Sequence, residues 1–509
     1  MINNSIERSI LRGTIIIVLV GILGKLASFI TETVLAAYLG TTYQSDAYYM
    51  VWGVHAVIYP MLSIGIWQVF LPLYKSHIAK NETEAAYSLT NKTITFFTTL
   101  SLLVTVFLVF FSPIVVSIIA PGFDEETRKL CIKLVRISAP QYVFIIASAI
   151  YASILQCHEE FFGSQIREVV SYIPTIFAGI FFYDYFGVEA IAVSLVIASI
   201  FRLLVELPFI SWDYRFRPDI EFKSKEFIIM LNRLPSALMT SGVTQLNTLI
   251  DKAMASTLSI GTISGLNYGH KLMNVFSGFL SSAIATALYP QTIELIALNK
   301  QKELGALIEK IINIYSIIML PVTIACVLFR TEFVAAVFQH GQFDENSTAI
   351  TAGIFAMYSL GIFFIACNTV INNIFYGYGN TRVPMFISFA NLVINVILNI
   401  IFIKLWGANG LAFATSLSAL LTFVIRMYAV KNYVLIRYFN ISITALKVLS
   451  ASLISCLIPR IIFMYNPMNK YAVIAISAVI TAVVYIIIIK LLKIQELEEL
   501  LVLLKRKIK

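Results

Sequence analysis

The sequence predicts an all-α polytopic membrane protein whose helices cross the bilayer about fourteen times. Three observations carry this reading. Only 13% of the 509 residues are charged and 59% are hydrophobic, with a mean hydropathy of +0.85. A soluble domain carries about 25% charged residues, so this chain could not cover a water-facing surface of its own size. Apolar runs such as 100–119 and 350–371 contain no charge. About 20 such residues span a hydrocarbon core of about 30 Å as a helix. Finally, the runs do not alternate with period 2, which argues strongly against a barrel. A helix is then what closes each span's backbone hydrogen bonds inside lipid.

The first span is expected at 13–38. A polar segment with Arg8 and Arg12 precedes it and no small-residue cleavage pattern follows, so it reads as a span and not a cleaved signal. Spans two to six fall at 46–74, 94–119, 135–155, 169–183 and 190–210. Spans seven to twelve fall at 227–255, 266–292, 311–329, 349–376, 385–406 and 410–430. The last two fall at 445–465 and 471–489, and 494–509 mixes apolar and charged residues like an amphipathic interfacial helix. Pro60, Pro140, Pro174, Pro235 and Pro321 lie within spans, where each removes a hydrogen bond and permits a kink.

The net charge of +9 reads as topogenic, not as a nucleic-acid footprint. Basic residues gather in alternate loops: Lys75, Lys80 and Lys92, then Arg215, Arg217, Lys223 and Lys225, then Lys300, Lys302 and Lys310, then Lys431 and Arg437, and finally the tail. The loop after the third span is the exception, with Arg128, Lys129 and Lys133 offset by Asp124, Glu125 and Glu126. The positive-inside rule places both termini in the cytoplasm. The five cysteines, Cys131, Cys157, Cys326, Cys367 and Cys456, form no CxxC pair and read as free thiols. No HExxH, P-loop or GxSxG is present, and His55, His77, His158 and His340 are isolated. A transporter is therefore expected and not an enzyme, with no cofactor and no metal, driven by membrane potential or a monovalent cation gradient.

An internal repeat appears at an offset of about 219 residues. Lys25, Ser28 and Glu32 sit at i, i+3 and i+7 on one face of the first span, and Thr244, Asn247 and Asp251 repeat that spacing in the seventh. Phe70-Leu71-Pro72 and Leu288-Tyr289-Pro290 continue the match. Two six-span lobes, 1–212 and 213–440, followed by two further spans over 441–493, are the simplest organisation.

Charges within spans are costly and mark a cavity or a partner. Those expected inside are Lys25, Glu32, Asp46, Arg202, Glu206, Asp251, Lys252, His270 and Lys271, with Arg136 and Arg233 nearer span ends. Arg202 and Glu206 at i, i+4 are expected to pair with each other. Lys252 is expected to snorkel to the surface. Asp46 reads equally as a cavity acid and as a first-turn helix residue. For the remainder, the functional reading is a polar cavity in which lysines and His270 meet an anionic head group. The bland reading is a set of buried ion pairs that fix helix register.

Several segments, in order, carry a resemblance. Gly24-Lys-Leu-Ala-Ser-Phe-Ile-Thr-Glu32 looks like SRVLGFxRD, Ser45-Asp-Ala-Tyr-Tyr49 like TDAFF, and Gln68-Val-Phe-Leu-Pro72 like QAFVP. Tyr268-Gly-His-Lys-Leu-Met273 is similar to YADRLM, Val337-Phe-Gln-His-Gly-Gln-Phe-Asp344 to LFxRGxFD, and Ile374-Phe-Tyr-Gly-Tyr-Gly-Asn-Thr-Arg-Val-Pro384 to AFYAxxDTKTP. These resemble the MurJ (MviN) family of lipid II flippases in the MOP exporter superfamily. The resemblance implies fourteen helices, a V-shaped cationic cavity, a lipid-tail groove from the last two spans, and a monomer that works with the cell-wall synthesis machinery. It also implies transfer of undecaprenyl-diphosphate-linked sugar between leaflets by alternating access. Carried over, the family's diphosphate-binding arginines fall on Lys25 and Lys271, and its acids on Glu32 and Asp46. Thr31 and Tyr59 stand where the family has further arginines. A lysine is a point charge without the bidentate fork of arginine, so the expected cargo widens from lipid II to related lipid-linked glycans.

The substrate-binding set expected from these arguments is Lys25, Ser28, Glu32, Asp46, Asn247, Asp251, His270 and Lys271. Rival readings are a flippase for capsule or exopolysaccharide precursors, a MATE-type multidrug antiporter with an acid-dominated cavity, and a non-transporting membrane scaffold.

Overall fold

The computed structural model describes residues 2–210, 214–465, 469–492 and 494. The expected amphipathic tail, from residue 495 on, lies outside them, as does the side chain of Thr244. All regular elements among the described residues are helical. In order they are α1 (Ile2–Leu39), α2 (Tyr43–Ala79), α3 (Thr83–Ile119), α4 (Glu125–Ser138), α5 (Gln141–Cys157), α6 (Phe161–Val170), α7 (Ile173–Phe177), α8 (Tyr183–Phe186) and α9 (Val188–Leu204). There follow α10 (Lys225–Ala255), α11 (Thr262–Ala297), α12 (Gln301–Leu328), α13 (Arg330–Phe338), α14 (Glu345–Ser359), α15 (Ile362–Gly377), α16 (Arg382–Val430), α17 (Tyr438–Tyr465) and α18 (Lys470–Leu491). Among the described residues, nine helices are long and apolar enough to cross a membrane, and two bent pairs raise the number to eleven. Their outward faces are apolar: Phe110 and Ile118 of α3 are 72% and 71% exposed, an arrangement that suits lipid and not water.

The bends have local causes. The pair α4 and α5 turns by 44° where Pro140 follows Ala139, because proline withdraws its N–H from the helix ladder. The α16 helix breaks at Gly407 (φ 54°, ψ −127°), a left-handed conformation that suits glycine, between the two spans expected at 385–406 and 410–430. The fifth span differs from expectation. It runs as α6, α7, a π-helical turn (Ala178–Phe182) and α8, over Phe161–Phe186. Its start at 161 instead of 169 draws Arg167 and Glu168 into the span.

The chain divides into two compact units, Met1–Ser264 and Gly265–Lys509. In the first, α2 packs on α3, α4, α5 and α10 around a core that includes Phe70, Tyr74, Phe97, Ile150 and Phe227. The turns that follow α3 and α10 also meet closely: at Gly122 a Cβ would lie 2.4 Å from the Thr257 Cα. In the second unit, α17 and α18 pack on each other, with α12 against α17 and α13 against α18. Tyr485 donates to the Ile317 carbonyl (2.5 Å) and Lys470 Nζ to the Ala335 carbonyl (2.8 Å).

The repeat is visible in the helices. α2 and α11 begin at 43 and 262, α3 and α12 at 83 and 301, α4 and α14 at 125 and 345, and α5 and α15 at 141 and 362. The α14 and α15 pair bends by 42°, close to the 44° of its counterpart. Both bent pairs start from an aspartate cap: Asp124 accepts from the Thr127 N–H (2.9 Å) and Asp344 from the Ser347 N–H (2.8 Å). Hydrogen bonding to the ionised form holds both carboxyls below the usual aspartate range.

Candidate functional site

In the first unit the α1 acid is buried and held. Glu32 is 7% exposed, and its Oε2 accepts from the Tyr49 hydroxyl of α2 at 2.7 Å. Lys252 of α10 reaches the same tyrosine from the other side, donating Nζ to the Tyr49 carbonyl at 2.8 Å and standing 6.0 Å from its ring centroid. Glycine at 53 makes room for that lysine, since a Cβ there would come within 3.1 Å of Lys252 Cδ. The expectation that Lys252 snorkels is thus corrected: it is 5% exposed, beside the buried Asp251. A buried ammonium needs its hydrogen bonds met, and the Tyr49 carbonyl takes one. One turn before Asp251, the buried Oδ1 of Asn247 has no hydrogen-bond partner among the described residues. An orphan acceptor in such a place is one that a ligand, ion or water completes.

Asp46 does something neither sequence reading anticipated. It is 4% exposed and caps the start of α11. Its carboxylate accepts from the Gly261 N–H (2.7 Å), the Ser264 N–H (2.8 Å) and the Ser264 hydroxyl (2.7 Å). The turn that presents these donors requires glycine: Gly261 has φ +89°, and a Cβ would sit 2.6 Å from the Thr41 carbonyl oxygen. A negative charge at a helix N-terminus is favourable on both dipole and hydrogen-bond grounds.

The expected cations stand differently. Lys25 is exposed and Ser28 half-buried, on the same face of α1 as Glu32. In the second unit His270 and Lys271 of α11 are half-buried. The His270 ring stands edge-on to Tyr358 (5.4 Å between centroids), and Asn274 Nδ2 lies 3.2 Å from its Nδ1. Thr31, at a position where the family pattern has arginine, donates its hydroxyl to the Ala27 carbonyl at 2.8 Å.

A second polar cluster in the first unit was only half legible. Arg202 does not pair with Glu206 as the i, i+4 spacing suggests. Its guanidinium bonds Glu168 Oε2 (2.6 Å) and the Tyr59 hydroxyl (2.6 Å). Arg167 takes Glu206 instead, with Nε 3.5 Å from Oε1, and donates to the Ser148 hydroxyl (3.1 Å). Arg167 and Glu168 were missed because the fifth span begins earlier than the apolar run. A charged pair at the lip of that run was the available signal. Arg426 of α16 was also passed over. It is 7% exposed and its Nε has no partner among the described residues. His55 is committed internally, its ring nitrogens 2.6 Å from the Tyr142 hydroxyl and 2.9 Å from the Ser138 hydroxyl.

The family model described as lipid II flippase MurJ matches residues 35–483. A "Probable lipid II flippase MurJ" of Buchnera aphidicola subsp. Schizaphis graminum is 25% identical over 425 residues, covering 82% of each chain. Among solved structures, a lipid II flippase MurJ in an inward closed conformation is similar with a TM-score of 0.81 at 22% identity, over 94% of this chain and 98% of that one. An inward-facing MATE multidrug transporter of the MOP superfamily gives 0.63 at 13% identity, over 83% and 95%. Below 25% identity these likenesses speak for the fold alone.

Proposed function

The chain belongs to the lipid II flippase MurJ family, and from that premise we propose that it moves an undecaprenyl-diphosphate-linked sugar, lipid II or a close relative, across the bacterial plasma membrane for peptidoglycan synthesis. The observation that supports this most is the family match over 35–483, joined to a multi-pass helical fold with charged residues buried inside it. Fourteen crossings follow if the 49-residue α16 counts twice and if α10 and α11, of 31 and 36 residues, also cross. Both termini then face the cytoplasm.

In this reading the diphosphate is met by Lys25 from α1 and by Lys271, with His270, from α11. The Glu32, Tyr49 and Lys252 linkage and the Asp46 cap hold their helices in one of two arrangements, and alternating access requires rocking of the two six-helix lobes. Ser28, Asn247 and Asp251 supply polar contacts, Asn247 through its orphan oxygen. The exposed apolar faces of α17 and α18, including Leu453, Ile461, Val479 and Val483, suit a groove for the lipid tail. The membrane potential or a monovalent cation supplies the drive, and the chain acts as a monomer beside the cell-wall machinery. Complementation of a bacterium depleted of its own lipid II flippase tests the reading. Drug-susceptibility testing of an overexpressing strain tests the MATE-type alternative, which the shared fold keeps in view.

A further inference from the structure

The first unit contains a cavity of about 370 Å³ lined by α2, α5 and the Arg167 end of α6. Tyr59, Ser63 and Trp67 lie at i, i+4 and i+8 on one face of α2, and Ala149, Ser153 and Gln156 lie at i, i+4 and i+7 on the facing side of α5. Small residues at 63, 149, 152 and 153 leave the space, and polar groups furnish its walls. Its size falls near the lower end of ligand pockets, about 300–1,000 Å³.

Charge decides what this cavity suits. Among the described residues Arg167 is its one ionic lining residue; it donates to the Ser148 hydroxyl (3.1 Å) and stands at ion-pair distance from Glu206 (3.5 Å) and Glu168 (3.7 Å). Arg202 behind it is held by Glu168 and Tyr59. Of these two guanidinium groups and their two carboxylates, only Arg167 lines the cavity. What remains is neutral and amphipathic. The Trp67 indole is 42% exposed, and its N–H is fixed by Gln156 Oε1 at 2.9 Å. That bond orients the ring and leaves the Gln156 NH₂ as a donor. Ser63, 9% exposed, brings a hydroxyl to the wall. An oriented indole face beside amide and hydroxyl groups is the chemistry that holds a sugar, whose C–H face lies on the ring while its hydroxyls take hydrogen bonds.

We propose that this cavity is a saccharide subsite: it takes an uncharged, hydroxyl- and acetamido-bearing sugar through Trp67, Gln156 and Ser63, apart from any contact with the diphosphate. The assignment rests on the reading of the chain as a carrier of lipid-linked glycan.

The test uses the full chain in nanodiscs with three probes: a soluble N-acetylglucosamine disaccharide, undecaprenyl diphosphate without sugar, and the same lipid bearing a disaccharide. Trp67→Ala and Gln156→Ala are each expected to weaken the soluble disaccharide and the glycosylated lipid about tenfold, and to leave the bare lipid within twofold. Trp67→Phe keeps a ring but loses its anchor, and an intermediate loss is expected. Equal weakening of bare and glycosylated lipid, or unchanged disaccharide binding in folded Trp67→Ala, overturns the subsite. Wild-type protein that binds neither lipid but binds the disaccharide through Trp67 overturns the flippase reading and leaves the saccharide site standing.

Discussion

Replacing Asp46 with alanine removes the acceptor of three hydrogen bonds, from the Gly261 N–H, the Ser264 N–H and the Ser264 hydroxyl, all at 2.7–2.8 Å. Hydrogen bonds to a charged group contribute about 1.5–3 kcal/mol each. The three share one carboxylate and do not add fully, while loss of an ordinary helix cap costs about 0.5–2 kcal/mol. Opening of the turn before α11 should therefore become easier by about 3 kcal/mol. At about 1.4 kcal/mol per factor of ten, the amides of Gly261 and Ser264 should exchange hydrogen roughly 100-fold faster. Asp46→Asn keeps one carbonyl oxygen but turns an NH₂ toward a donor, so roughly a tenfold increase is expected. The assay is hydrogen exchange read by mass spectrometry on the peptide around 258–266. The turn capped by Asp344 serves as an internal control that should not change. Unaltered exchange at Gly261 and Ser264 in Asp46→Ala would refute the assignment of Asp46 as the cap of α11.

Lys25→Ala and Lys271→Ala should each abolish transport while the protein stays in the membrane, as read by complementation with a membrane-fraction blot; full activity of both variants removes the site assignment. A double-mutant cycle on thermal stability should give a coupling of roughly 1–3 kcal/mol for Arg202 with Glu168 and a smaller one for Arg202 with Glu206; the reverse order would restore the i, i+4 pair. Asp124→Ala and Asp344→Ala should each cost about 1 kcal/mol near neutral pH through loss of a cap. Because hydrogen bonds depress both folded carboxyls, this stabilisation is present above the unfolded value of about 3.9. It is lost as pH falls through the folded value. The gap between wild type and variants in thermal melts should therefore close on acidification below about pH 4, and a gap that persists there would contradict the capping role.

Much of this architecture was legible because hydropathy and glycine or proline breaks are local properties. The runs around α3, α12 and α18 identify themselves by length and lack of charge, and the break of α16 coincides with Gly407. The repeat was readable from Glu32 and Asp251, and the paired caps at Asp124 and Asp344 extend it. The partners of buried charges were not readable. A helix of known sequence announces only its i, i+4 neighbours, and such a pair is worth a few tenths of a kcal/mol. Arg202 had Glu206 at that distance, yet a short bond to Glu168 from a neighbouring helix prevails because buried, charge-assisted geometry is stronger. Lys252 illustrates the same point, since its snorkelling depended on whether a neighbour left room, and Gly53 does. Asp46 looked like a first-turn residue of its own helix, while the donors that claim it lie more than two hundred residues away at Gly261 and Ser264.

Complementation reads out transport of a lipid-linked peptidoglycan precursor with lysine serving at the cationic positions. The chain is expressed in a bacterium depleted of its own lipid II flippase, and growth and flipped precursor at the outer leaflet are measured. The wild-type chain should rescue growth, and Lys25→Ala and Lys271→Ala should not. Failure of the wild-type chain, confirmed in the membrane, would contradict lipid II as the cargo and point to another polyprenyl-linked glycan, with Thr31 and Tyr59 as the residues that set the difference.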